Sequence, residues 1–179
     1  MAEKKNRVPE TAKNEMDEFL LRTGISDPSG DIRQRYLWTD AFAVQACFAL
    51  AHLTGNDKYR EDAINLIDNV HFILGKHRAD DPRNGWLSGM DEEEGARHPT
   101  AGGLRIGKKL PSRLPDEPFD QMLEWERDGQ YFHYLTRWFH ALMETFAETG
   151  DKRYAQQAAE LILAGRKFIH QQNGRIRMF

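Results

Sequence analysis

Two short clusters of acidic and aromatic residues each come directly before a strongly apolar segment. The first is Arg33-Gln34-Arg35-Tyr36-Leu37-Trp38-Thr39-Asp40, and the second is Glu124-Trp125-Glu126-Arg127-Asp128-Gly129-Gln130-Tyr131. We take Asp40 and Asp128 as the catalytic carboxyl candidates. Glycoside hydrolysis needs one acid to protonate the leaving oxygen and a second group to activate water or attack. Both have another interpretation, because acidic residues in the first turn of a helix favour its dipole and often merely cap it.

Glu126 and His133 complete the set of catalytic candidates. Glu126 supplies a third carboxylate, or it pairs with Arg127 or another arginine of the loop. His133 and His140 are seven residues apart and so lie near one face of one helix, where an imidazole could move a proton at neutral pH. The alternative for both is a hydrogen-bonded core histidine. The sequence contains no His-x-x-x-His or Cys-x-x-Cys spacing, and we predict neither a metal ion nor another cofactor.

The substrate-binding candidates are aromatic and cationic. Trp38, Trp125 and Tyr131 could offer flat apolar faces to a sugar ring, although core packing also explains aromatic residues at such positions. Arg35 adds a cation to the first cluster. Between the clusters, the glycine-containing stretch from His98 to Lys109 could hold a carboxylate or phosphate through backbone N–H groups and Arg105. Its glycine spacing matches no phosphate-binding loop, and a solvated turn is the other interpretation.

Composition excludes several classes of protein. The 179 residues carry 25 Lys and Arg against 28 Asp and Glu, for a net charge of -3, which argues against a strongly basic nucleic-acid-binding domain. No apolar run approaches the roughly 18 residues of a membrane span, and the N-terminus lacks the apolar segment of a secretory signal. A single cysteine, Cys47, forbids an internal disulfide. We therefore expect a soluble, cytoplasmic domain.

Hydrophobic periodicity predicts helices over about 11–22, 39–53, 57–74, 129–148 and 152–171. The second and fourth are apolar almost all round and should be buried, whereas the third and fifth have one polar face. The joints between them repeat at an offset of 95 residues, because Thr54-Gly55-Asn56-Asp57-Lys58-Tyr59 aligns with Thr149-Gly150-Asp151-Lys152-Arg153-Tyr154. The sequence therefore predicts a single all-α domain with hairpins over 36–75 and 128–171.

The connection over 76–127 contains five of the seven prolines. A structureless loop of this length is uncommon, and its apolar anchors, Trp86 and Leu104 among them, favour an ordered excursion with short strands over one end of the helices. The segment from Gly174 to Phe179 alternates like a strand. We expect it either to pair back onto the long loop or to mark a chain that stops inside a larger fold.

The hairpin joint carries a resemblance to a known family. A buried helix followed by Thr-Gly-Asp-x-x-Tyr-x-x-x-Ala, which opens an amphipathic helix, resembles the joints of the (α/α)6 toroids. These are the six-hairpin glycosidase-like proteins, among them unsaturated glucuronyl hydrolases and N-acylglucosamine 2-epimerases, and the likeness covers about 36–171. It implies a pocket where the inner helices meet the long loops, lined with aromatic and carboxylate residues.

This resemblance implies a glycoside hydrolase that acts on a sugar or uronic-acid glycan by carboxylate acid–base chemistry. The epimerase branch implies a pair of histidines instead. A terpenoid-cyclase-like toroid is a weaker match because the sequence has no Asp-Asp-x-x-Asp run. A complete ring needs more hairpins than this chain supplies, so we expect either a homodimer or further C-terminal hairpins. The competing hypothesis is a non-catalytic module, with the exposed sides of the buried helices as a protein interface.

Overall fold

A computed structural model describes residues 10–26, 34–114, 116–172 and 175–178. The described helices are α1 (Glu10–Arg22), α2 (Leu37–Thr54), α3 (Lys58–Leu74), α4 (Glu92–Arg97), α5 (Gln121–Glu124), α6 (Phe132–Thr149) and α7 (Lys152–Gly165). A short 3₁₀ turn at Arg166–Phe168 leads into strands β1 (Ile169–Gln172) and β2 (Arg175–Met178). The fold is all-α, as predicted.

Two helical hairpins form the body of the protein. Helix α2 packs against α3, α6 packs against α7, and the two inner helices α2 and α6 pack against each other. Because α2 is apolar on nearly every side, it can bury residues against α3 and α6 at once. The core therefore lies between the hairpins. Its largest fully buried apolar side chains are Trp138, Phe48, Leu20, Leu37, Leu66, Ile67, Leu74, Leu104, Leu142, Val44 and Val70.

The two hairpin joints have the same geometry. Gly55 and Gly150 both adopt a left-handed conformation with φ of 70°, and each donates its N–H to the carbonyl four residues earlier at 2.8 Å. The preceding threonine, Thr54 or Thr149, also donates its hydroxyl to the carbonyl four residues earlier, at 2.6 and 2.7 Å. It accepts the N–H two residues later at 3.2 Å in both joints. The predicted joints are confirmed in detail.

The long connection is ordered, but mainly by helices and turns. It contains α4, α5 and two isolated bridges, Lys76 with Trp86 and Leu110 with Arg127. The expected short strands therefore reduce, in the part of the loop that the structure describes, to single bridges. The Trp86 ring fills the space beside Gly95, where an added Cβ would lie 2.1 Å from an indole carbon. A residue without a side chain is needed there for the loop to close on α3.

The end of the chain differs from its prediction. Helix α7 ends at Gly165 rather than near Gln171, and β1 and β2 form an antiparallel hairpin with Ile169 opposite Met178. The expectation that the last strand pairs with the long loop is therefore wrong; Gly174 and Phe179 lie outside the described residues. Gly165 is a poor helix former, and Phe168 packs edge-on against Phe132 with ring centroids 6.2 Å apart. These features end the helix early and leave Ile169 to begin a strand.

In the described ranges, no helix has the length and apolar character needed to cross a membrane.

Candidate functional site

The starts of α2 and α6 lie side by side. The hydroxyl groups of Tyr36 and Tyr134 are 2.6 Å apart and share a hydrogen bond. The Trp38 ring lies 5.2 Å from the Tyr134 ring and 5.9 Å from the His133 ring, centroid to centroid. The two sequence clusters therefore meet at one end of the hairpins.

An open cavity of about 390 Å³ lies beside this contact, and we call it the aromatic cleft. Its lining includes Trp125 and Phe119, which are each 69% exposed, together with Tyr131 and His133. The full lining is Ile106, Lys108, Phe119, Gln121, Glu124, Trp125, Arg127, Tyr131, His133 and Tyr134. Apolar ring faces and hydrogen-bonding groups are thus mixed around one concave surface.

Cations hold the aromatic side chains next to the cleft. The ammonium group of Lys108 lies 5.2 Å from the centre of the Tyr36 ring. The guanidinium of Arg137 lies 5.6 Å from the Trp38 ring and 4.6 Å from the Phe42 ring. These are cation–π distances, and such contacts orient both partners.

Asp40 lies beneath the cleft rather than in it. Its carboxylate accepts the backbone N–H of Tyr36 at 3.2 Å, and Oδ2 lies 3.5 Å from Nε of Arg35. Burial raises the pKa of Asp40 to about 6, although Arg35 and the Tyr36 N–H pull it down. Arg35 is itself buried and donates to the Thr23 carbonyl at 3.1 Å. The structure thus gives this pair the role of joining the end of α1 to the start of α2.

Asp128 is the centre of a hydrogen-bond network. Oδ1 accepts the backbone N–H groups of Gly107 at 2.8 Å and Gly129 at 2.9 Å. Oδ2 accepts from Arg105 and, at 3.4 Å, from Nη1 of Arg78. The carboxylate is almost completely buried. Four donors leave it little capacity for a substrate, so the arrangement favours the structural interpretation of Asp128.

Arg105 serves the same network. Besides Asp128, its guanidinium donates to the carbonyls of Lys76 at 2.6 Å and Ile73 at 2.7 Å. Ile73 is in the last turn of α3, where helical carbonyl groups lack partners within the helix, and Lys76 lies two residues past its end. Arg105 therefore caps α3 from the long loop.

Glu126 is exposed, and its neighbour Arg127 bonds elsewhere. Arg127 pairs with Glu117, and its Nε lies 3.5 Å from Glu124. Arg127 thus pairs with Glu117 and Glu124 instead of with Glu126.

Glu124 is the cleft carboxylate that the sequence argument missed. It lies 2.9 Å from Nε of Arg113. The sequence feature that could have predicted its position is Asp120, whose side chain accepts the N–H groups of Met122 and Leu123 and caps α5. That cap starts the single helical turn that carries Glu124.

His98 lies against α7. Its Nδ1 is 2.7 Å from Oε1 of Glu160, and Thr100 donates to the other oxygen of the same carboxylate at 2.6 Å. His98 therefore joins the long loop, to which it belongs, to helix α7 of the second hairpin. Of the ten candidate residues, Trp125, Tyr131 and His133 line the cleft, and Trp38 contacts His133.

Among the described residues, no three His, Cys, Asp or Glu side chains converge as a metal site. A comparison with known protein families, with curated proteins and with solved structures finds no match to this chain. The fold and the cleft therefore define its class: an all-α protein of two packed hairpins, with an aromatic cleft where the inner helices begin.

Proposed function

We propose that the aromatic cleft binds a sugar, either free or as a unit of a glycan. The observation that carries the proposal is that Trp125 and Tyr131 line the same cleft as the hydrogen-bonding groups of Gln121 and Glu124. A sugar ring has an apolar C–H face and a polar rim, and aromatic faces flanked by polar groups suit both. A tryptophan left 69% exposed in a concave site is also typical of a binding surface.

The charges around the cleft favour a sugar with a carboxylate, such as a uronic acid. Lys108 lines the cleft, and its ammonium group contacts the Tyr36 ring face. A cation at such a face can attract an anionic group on a ligand lying in the cleft. The carboxylate of Glu124 is already matched by Arg113 and Arg127.

A second candidate function is acid–base catalysis on the bound sugar, and the position of His133 favours it. Hydrolysis by two carboxylates requires both to face one sugar at about 5 Å or about 6.5–9.5 Å from each other. Asp40 and Asp128 bond within the protein, and neither is among the described residues that line the cleft. His133 and Glu124 both line it, and an imidazole can transfer a proton at neutral pH.

Calorimetric titration tests the binding proposal. We expect oligosaccharides that contain uronic acid to bind more tightly than neutral ones of the same length. Trp125→Ala and Tyr131→Ala should each weaken binding about ten-fold, because each removes a stacking face of roughly 1.4 kcal/mol. Phe72→Ala is the matched control, since Phe72 is an exposed aromatic residue on the outer helix α3. Absence of binding to both kinds of oligosaccharide would overturn the proposal.

Two further variants test the preference for uronic acid and the catalytic role of His133 separately. Lys108→Ala should lower affinity for the uronic-acid ligands and leave affinity for neutral ones unchanged. For catalysis, we expect His133→Ala to abolish any bond cleavage or epimerisation observed by NMR while binding persists. Turnover that survives in His133→Ala would exclude His133 as the proton carrier.

A further inference from the structure

The internal repeat relates the faces of α2 to the faces of α6. Each α2 residue corresponds to the α6 residue 95 positions later, and the matching joints show that the two hairpins share one geometry. One face of α2 packs on one face of α6. Because of the repeat, the residues of each of these faces have counterparts on the other inner helix, 95 positions away in the sequence. Those counterparts form two further faces, one on each inner helix.

Hydrogen bonds define the faces that already pack together. Gln45 donates to Glu144 at 2.9 Å, and Nε2 of His52 lies 2.8 Å from Glu148. The α2 side of this contact is therefore the row of Ala41, Gln45, Phe48 and His52, which follows helical spacing. The α6 side is the row of Arg137, Ala141, Glu144 and Glu148.

Shifting each row by 95 residues gives two faces that carry neither of these hydrogen bonds, although Phe42, at one end of its face, meets the Arg137 guanidinium at 4.6 Å. The α2 contact row corresponds to Thr136, His140, Met143 and Ala147 on α6, which we call the α6 stripe. The α6 contact row corresponds to Phe42, Ala46, Ala49 and Leu53 on α2, which we call the α2 stripe. All four members of the α6 stripe are exposed, and so are three of the α2 stripe, with Ala46 half-buried.

Both stripes have the composition of a contact surface. Neither contains Asp, Glu, Lys or Arg, although Phe42 is 43%, Leu53 51% and Met143 36% exposed. Ala46 and Ala49 in the α2 stripe and Ala147 in the α6 stripe are small enough to let two helices approach closely. Uncharged, partly apolar stripes on two helices of one small protein are unlike an ordinary water-facing surface.

We propose that a second copy of this chain docks head to tail, with its α2 stripe on the α6 stripe of the first copy. The contact continues the α2–α6 interface that the chain already makes within itself. The occupant is a second copy because both halves of the new interface are on this chain, each equivalent to a half that already pairs. Such a contact uses two different surfaces, so it closes into a ring or extends, according to the rotation between copies.

The mass in solution tests the association. Light scattering on the purified chain should give a multiple of the 20.8 kDa monomer. Leu53→Glu in the α2 stripe and Met143→Glu in the α6 stripe should each weaken association at least ten-fold, because each buries an unpaired charge in the interface. Leu163→Glu is the matched control, since Leu163 is 63% exposed on α7 and lies outside both stripes. Thermal melts by circular dichroism verify that every variant folds.

Cross-linking tests the orientation. The repeat turns the Gln45–Glu144 pair into His140 of one copy and Ala49 of the next. Ala49→Cys mixed with His140→Cys should therefore form a heterodimer with a short bismaleimide, whereas each variant alone should cross-link poorly. The wild-type chain is the blank, because its single thiol, Cys47, is buried.

Three results would overturn the proposal: a wild-type chain that stays monomeric, association that survives Leu53→Glu, or cross-linking of Ala49→Cys with itself. The last would show that two α2 stripes face each other. The stripes contain no residue of the aromatic cleft, so this test is independent of sugar binding.

Discussion

Trp138 donates its indole N–H to Nε2 of His71 at 3.0 Å, which joins the inner helix of the second hairpin to the outer helix of the first. Both side chains are buried, and their rings meet edge to face with centroids 5.7 Å apart. To accept this bond, Nε2 must carry no proton, so the neutral ring holds its proton on Nδ1. Burial agrees with this state, because it lowers the pKa of His71 from 6.5 to about 3.

We predict that this histidine makes the protein less stable in mild acid. The unfolded chain binds a proton at His71 below pH 6.5, whereas the folded protein resists it down to about pH 3. The contribution to the free energy of unfolding is therefore complete above pH 6.5 and is lost progressively toward pH 3. The loss should reach about 2 kcal/mol at pH 5. Urea unfolding of the wild type and of His71→Gln at pH 7.5 and pH 5 measures it, because the comparison removes the opposing contribution of Asp40 that the two proteins share.

His71→Gln provides the control for that experiment. Glutamine can accept the Trp138 N–H but does not titrate. On going from pH 7.5 to pH 5, the free energy of unfolding of His71→Gln should therefore change about 2 kcal/mol more favourably than that of the wild type. An equal change in the two proteins would mean that other groups cause the acid sensitivity.

Asp40 should act in the opposite direction. Burial raises the pKa of Asp40 from 3.8 to about 6. Between pH 6 and pH 3.8, the carboxyl group is therefore protonated in the folded protein but still ionised in the unfolded chain. The Asp40 contribution to stability therefore grows as pH falls from 6 to 3.8, by about 3 kcal/mol at most. Asp40→Asn should remove this gain. In urea unfolding at pH 7, 5 and 4, the free energy of unfolding of the variant should fall further below that of the wild type at each lower pH. A constant difference would contradict the raised pKa.

Asp128→Asn should destabilise the protein by about 3 kcal/mol, because it leaves the buried Arg105 contact without its counter-charge. The amide also cannot accept from all four donors that now bond the carboxylate. Glu126→Gln is the matched control, since Glu126 is exposed and two residues away; it should change stability by less than about 0.5 kcal/mol. Chemical unfolding of the three proteins side by side measures both, and equal stability would contradict the structural role of Asp128.

The two joint glycines should respond alike to substitution. Gly55→Ala and Gly150→Ala should each cost about 1 kcal/mol, because both residues have φ of 70°, which alanine adopts at a penalty. An added Cβ meets nothing within 4 Å at either position, so strain alone sets the cost. Asparagine tolerates this conformation better, and Gly150→Asn should therefore cost less than Gly150→Ala. Thermal unfolding compares them, and unequal costs at the two joints would argue against a shared geometry.

The features that were predictable from the sequence are those with a local cause. The joint at Thr54-Gly55 and its copy at Thr149-Gly150 depend on residues within a few positions, so their pattern predicts the turn. The end of α7 at Gly165 escaped prediction because the apolar spacing continues past it, and the decisive contact, Phe168 with Phe132, spans 36 positions of the chain. Tertiary packing there overrides the helical pattern.

The candidate site divides in the same way. The meeting of Trp38 with His133 followed from two helices that start at one end, and the topology of hairpins predicts it. The partners of Asp128 did not follow, because Arg105, Gly107 and Arg78 come from turns of the long loop whose path no periodicity describes. Spacing alone therefore identified acidic residues near the site but could not separate a buried anchor from a group that faces a ligand.

The anchor at Asp128 has a consequence for how the protein opens. The Asp128 carboxylate bonds Arg78, near the start of the loop, and Gly107, near its middle. It also bonds Arg105, which in turn donates to the Ile73 carbonyl in the last turn of α3. The loop cannot lift away without stripping a buried charge of its partners. The parts of the connection around Arg78 and around Arg105 should therefore open together with the end of α3, as one cooperative unit, rather than separately from it.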